Sequence, residues 1–293
     1  MRRVEPSDPS SPPPVLASGR FASVLLRPGT LFPLQVRRHP LFLFVATLVS
    51  TVVCVYAGEV LFPQAAGLVA VALLAFTLLA EMVAELEENR DAIWTHRVAP
   101  SRANLRLAAK IVALFLGMLA GYSAILFLLS EESVRVGFAA QLGTRAYRAI
   151  EDIRFGEPWM LLQQNGKVLV AALLFGLFFR AGGALLVLGW NASVWGVVYG
   201  HIVHAQPSGR AWYAVRVAIV AGPHVAFESG AYVLAALAGI FVSKALAKHG
   251  LDSVAFRSVA ASSVGLLFLA VAALALAAIC EAMYAPWMGG RVF

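Results

Sequence analysis

Long apolar runs constrain this chain more than any other feature. They cover about 40–62, 65–84, 107–129, 166–188, 223–246 and 258–283, with a shorter one at 190–203. About 20 apolar residues in a helix cross the ~30 Å hydrocarbon layer of a bilayer. The composition agrees. The 293 residues are 60% hydrophobic and 13% charged, where a soluble domain is about 45–50% apolar and about 25% charged. The chain therefore reads as an all-α, polytopic membrane protein with about seven transmembrane helices. The alternative is six plus a re-entrant helical pair.

The charges give that array a direction. The net charge is +7, but the basic residues flank apolar runs. Membrane orientation accounts for them without a nucleic-acid partner. Arg2, Arg3, Arg20, Arg27, Arg37 and Arg38 precede the first run, and Arg90, Arg97, Arg102 and Arg106 follow the second. The positive-inside rule places both blocks in the cytoplasm, with the amino terminus in and, after seven spans, the carboxyl terminus out. No cleavable signal peptide is read in the first 40 residues, because the first apolar run is too long for one. Cys54 and Cys280 lie inside apolar runs and read as two buried or lipid-facing thiols rather than a disulfide.

Four segments follow. Residues 1–39 combine a proline-rich tail, expected to be disordered, with a basic stretch suited to the membrane surface. Residues 40–84 form a transmembrane hairpin turning at Pro63-Gln64. Residues 85–107 read as a cytoplasmic loop, in which Glu85, Glu87, Glu88, Arg90 and Asp91 are solvated charges. Residues 108–293 form the membrane core. Within it, 130–164 carries Val134, Phe138, Ala139, Leu142, Tyr147, Ile150, Ile153 and Phe155 at helical spacing among charges. That pattern predicts one or two amphipathic helices on the non-cytoplasmic face, starting at Ser130, and the largest surface for a partner there.

The polar residues within the apolar core are the candidates for chemistry. Asn165, Asn191, His224 and Glu228 form the expected intramembrane cluster. His224 and Glu228 are four residues apart, so a helix presents them on one face. Glu228 in an apolar run faces a bundle interior or a wet cavity. Pro223 suits the first turn of a helix, so Gly222-Pro223 is read as dividing 211–246. Either 190–222 is a re-entrant pair of half helices, or a surface helix over 211–222 leads into a span at 223–246. Arg180 either snorkels to the interface or pairs with a carboxylate such as Glu228. Gly182 and Gly183 permit close helix contact. His201 and His204 lie three apart, but no His-Glu-x-x-His pair accompanies them, so no metal site is assigned. No nucleophile elbow, phosphate loop, Cys-x-x-Cys or Asp-rich motif is present. The reading is therefore of a non-enzyme with no cofactor. The core polar residues either bond across helices to fix packing or form a proton- or ion-linked site.

Three stretches resemble the stage II sporulation protein M family of integral membrane proteins, over about residues 108–285. One is Gln164-Asn165-Gly166-Lys167, an Asn that opens a helix continuing to Leu173-Leu174-Phe175-Gly176. The second is Trp190-Asn191-Ala192-Ser193-Val194-Trp195-Gly196. The third is the Pro-His-Gly-x-x-Glu-x-x-Ala run, here Pro223 to Ala231, with Val225 at the glycine position. The resemblance implies a membrane scaffold that recruits envelope or cell-wall-remodelling proteins. The partners expected are the lipid bilayer, an envelope protein and a second copy of the chain. A transporter or channel-like protein with a polar site at Asn191, His224 and Glu228 is the alternative.

Overall fold

The computed structural model describes residues 39–95, 98–143, 158–204 and 209–292. The proline-rich tail, the basic segment before Pro40 and the Tyr147–Phe155 part of the amphipathic stretch lie outside them. Among the described residues the chain is all helical, with no strand. In order come α1 (Pro40–Leu61), a 3-10 turn (Pro63–Ala65), α2 (Ala66–Trp94), α3 (Pro100–Ile125), α4 (Glu131–Gly137), α5 (Ala139–Leu142), α6 (Pro158–His204), α7 (Arg210–Lys248) and α8 (Val254–Ile279). A π turn (Cys280–Tyr284) then leads into α9 (Ala285–Val292). Six of these helices are long and apolar enough to cross a membrane.

Several helix starts follow from local chemistry. Pro40 and Pro100 occupy first-turn positions, where a missing N–H costs nothing. The Ser253 and Ser130 hydroxyls cap α8 and α4, each accepting at 3.1 Å from the backbone N–H three residues on. Glu131 and Glu132 fill the first turn of α4, where the helix dipole favours them.

The first helix hides polar and small residues and shows apolar ones. On α1, Val45, Val49, Val53, Tyr56 and Val60 form an exposed stripe, while Thr47, Thr51 and Gly58 are buried. Water would reverse that arrangement, and lipid favours it. Lipid gives apolar side chains no reason to hide, so helices associate through close backbone approach. A methyl at Gly176 would strike the Ala236 carbonyl, and one at Gly239 would strike the backbone of Leu173 and Leu177. These two glycines let α6 and α7 meet. Gly196 likewise sits against Leu119 and Tyr122 of α3, where the Ser123 hydroxyl donates to the Gly196 carbonyl at 2.9 Å.

Three boundaries differ from the sequence expectations. First, the break near Arg180 replaces the one expected at about 189. Arg180 alone among the described non-glycine residues has a positive φ (54°, with ψ −131°), and it divides α6. An unbroken helix of this length would be about 70 Å long. Instead Gly183 lies against the Phe175 carbonyl, which a continuous helix would hold about 12 Å away along its axis. The axis therefore turns sharply at Arg180. Residues 190–204 belong to one helix with 181–189, not to a half-helix pair.

Second, Gly222-Pro223 does not divide α7, which runs through it. Proline removes the donor for the carbonyl four residues back, that of Ile219. The Tyr284 hydroxyl donates to that carbonyl at 3.2 Å, so the helix continues. Third, α2 extends to Trp94, and the polar stretch after Ala84 is helix rather than loop. Glu85 is buried there and ion-paired with Lys110 of α3, and Asn89 donates to Asn104 at 3.0 Å. Polar groups thus join the ends of α2 and α3. Val134 of α4 and Phe138 just after it are buried, and Gly137 packs on Pro63 and Ala66, so this described part of the amphipathic stretch rests on the chain's own hairpin turn.

Candidate functional site

Two helical faces build the site. Trp195 and Tyr199 are one turn apart in the second half of α6. His224, Glu228 and Tyr232 are successive turns of α7. The rungs pair in antiparallel order. Glu228 Oε1 accepts from Trp195 Nε1 at 3.3 Å and from the Tyr232 hydroxyl at 2.9 Å. The Tyr199 hydroxyl lies 3.3 Å from His224 Nε2. The Trp195 ring stacks on Tyr199 (centroids 5.3 Å apart, 13° between planes) and meets His224 nearly edge-on at 5.2 Å.

The third member comes from the end of α8. Glu281 lies in the π turn, one of the local wideners of helices that often mark functional positions. One ligand-capable atom each from His224, Glu228 and Glu281 lie within 4.8 Å of one another. The three residues are only 2%, 3% and 7% exposed. Among the described residues no Lys or Arg forms an ion pair with either glutamate. His224 Nδ1 and Glu228 Oε2 are buried with no hydrogen-bond partner. The site thus brings two carboxylates and an imidazole together in an apolar interior, with Glu228 and His224 each bonded through one atom and free at the other.

Glu281 was not singled out from the sequence. Its one signal there is a carboxylate near the end of the last apolar run, the same signal that marks Glu228. The other expected members lie elsewhere. Asn191 is buried, but its Nδ2 donates at 2.8 Å to the Val187 carbonyl of its own helix. Asn165 is half-buried seven residues after α6 begins at Pro158, so it does not open that helix. Neither Asn bonds to His224 or Glu228. Arg180 is exposed and donates from Nε to the Ser243 hydroxyl at 3.2 Å, with no bond to Glu228. Gly183 serves the sharp turn of α6, and Gly182 meets Leu79 of α2 in ordinary contact. His204 stands edge-on to Phe127 at 5.4 Å and His201 is half-buried; neither joins the cluster.

A separate concavity of about 470 Å³ opens where α2, α3, α7 and α8 end or begin. Asn89, Arg90, Lys244 and Lys248 line it beside apolar Leu86 and Phe241. It shares no residue with the histidine–glutamate cluster. Comparison with known proteins finds no matching family model, no matching curated protein and no matching solved structure.

Proposed function

We propose that this protein is a multi-pass, ion-binding membrane protein of the transporter or channel class, with its polar site at His224, Glu228 and Glu281. One observation carries the reading: two carboxylates meet an imidazole in the helix core, and among the described residues no Lys or Arg pairs with them. Charge at such depth is expensive, and intramembrane ionisable groups that persist mark ion or proton pathways. Two of the cluster's buried polar atoms, His224 Nδ1 and Glu228 Oε2, have no hydrogen-bond partner within the chain. A bound cation or proton supplies the missing partner.

The same reading takes seven crossings, with the chain reversing at Arg180. The halves 158–179 and 181–204 are each about 33–36 Å long, enough for one crossing apiece. The basic residues before α1 and between α2 and α3 then lie in the cytoplasm, and the carboxyl terminus lies outside.

The test is cation flux in proteoliposomes, read with a pH-sensitive dye and with a metal-sensitive dye inside the vesicles. Wild type should carry one of these ions. Glu228→Gln, folded by size-exclusion profile, should carry neither. Wild-type vesicles that are tight to both ions would overturn the reading.

The scaffold implied by the resemblance to stage II sporulation protein M is a second reading. It is supported by the bonds of Glu228 and His224 to Trp195 and Tyr199, which tie α6 to α7. Under it Glu228→Gln weakens assembly, flux is absent from wild type, and an envelope protein co-purifies with the intact chain.

A further inference from the structure

The cation-binding reading leaves the ion unspecified, and the donor set narrows it. We propose that His224, Glu228 and Glu281 form a binding site for one divalent transition-metal ion of the zinc class. This rests on the reading above that the cluster holds a cation.

The donors are one imidazole nitrogen and two carboxylate oxygens. Imidazole with carboxylate suits zinc and its first-row neighbours, while calcium and magnesium take all-oxygen shells. The charges close: a neutral imidazole, two carboxylates and a divalent ion sum to zero, which an apolar interior requires.

Two of the three residues keep a donor atom free. Glu228 Oε1 is held by Tyr232 and Trp195, leaving Oε2. His224 Nε2 is held by Tyr199, leaving Nδ1. Ligating histidines and carboxylates are oriented by such outer bonds on their second atom. With Nδ1 on the metal, the Nε2 proton is donated to the Tyr199 hydroxyl. Bonds of ~2.1 Å in a tetrahedron separate ligand atoms by ~3.4 Å. The cluster, at 4.8 Å or less, closes onto an ion by side-chain movements of about an ångström. With three protein ligands the fourth position is free for water or for an ion in transit.

The experiment uses the full chain in detergent, stripped with a chelator and equilibrated with zinc chloride against a chromogenic competitor. About one zinc per chain should bind, unaffected by excess magnesium. Cobalt chloride should give the intense visible absorption of a four- or five-coordinate ion. Tyr232→Phe, which removes an outer bond, should weaken zinc by roughly 10–100-fold. Glu281→Gln and His224→Gln should weaken it further, and Asn191→Ala should leave it unchanged. If the ligand variants do not fold, the wild-type cobalt spectrum decides. A pale six-coordinate spectrum, no stoichiometric zinc, or unchanged zinc affinity in both ligand variants would overturn the site. Proton flux that needs Glu228, without zinc binding, would remove the metal and keep the carrier. Stoichiometric zinc with no flux of any ion would keep the metal and remove the carrier.

Discussion

A proline inside a helix leaves the carbonyl four residues back without its donor. In α7 that carbonyl belongs to Ile219, and Tyr284 from beyond α8 donates to it. Tyr284→Phe should therefore lower stability by about 1–2 kcal/mol, the cost of an unpartnered polar group. In a Pro223→Ala background the helix regains its own donor, and the same change should cost less. Unfolding midpoints of the four proteins in detergent measure the coupling. The Glu85–Lys110 pair offers a second check at this scale. Lys110→Met strands a buried carboxylate and should cost about 3 kcal/mol, with much of that recovered in Glu85→Leu/Lys110→Met. His224 and Glu228 were legible in the sequence because charged and aromatic polar side chains stand out in an apolar run, and i,i+4 spacing shares a face. Glu281 was not, because nothing along the chain says which interior residue from another helix will meet that face.

Among the elements, α6 carries the most unusual geometry. Arg180 holds a backbone conformation that only glycine adopts freely. Arg180→Ala keeps that strain and loses the bond to Ser243, whereas Arg180→Gly relieves it. The glycine variant should be more stable than the alanine variant by about 1–2 kcal/mol in thermal or denaturant unfolding. The contact between α6 and α7 depends on Gly176 and Gly239, so Gly239→Leu should separate these helices. The expected result is loss of the monodisperse detergent-extracted protein, read by size-exclusion chromatography. The apolar runs themselves were legible, but the position of the break within 158–204 was not. Gly182-Gly183 and the polar Trp190-Asn191 both mark weak points, and the chain turns two residues before the glycines. At that turn Gly183 comes against the Phe175 carbonyl, a contact between residues eight apart that periodicity along the chain does not announce.

For the whole molecule, the expected crossing number has a direct test. If α6 crosses twice, its start and the start of α7 lie on one side of the membrane. Trp159→Cys and Ala211→Cys, both at exposed positions, should then react with an impermeant thiol reagent from the same side. The background replaces Cys54 and Cys280, which are free thiols. Labelling from opposite sides would mean a single crossing and would reverse the placement of everything after it.

By itself the sequence determined the class of molecule: helical, with runs long and apolar enough to cross a membrane, a basic amino-terminal stretch and a polar face on α7. That followed from run length, charge placement and helical period, which are properties of a chain one segment at a time. Only the tertiary structure decided that Glu281 joins His224 and Glu228, that Asn191 turns back to its own helix, and that Pro223 is tolerated. Each depends on which atom of a distant helix arrives at bonding distance. Apolar helices in lipid carry little information about their neighbours, because their outer faces are interchangeable. The partner choice rests on a few small and polar residues whose meeting is a property of the assembled bundle.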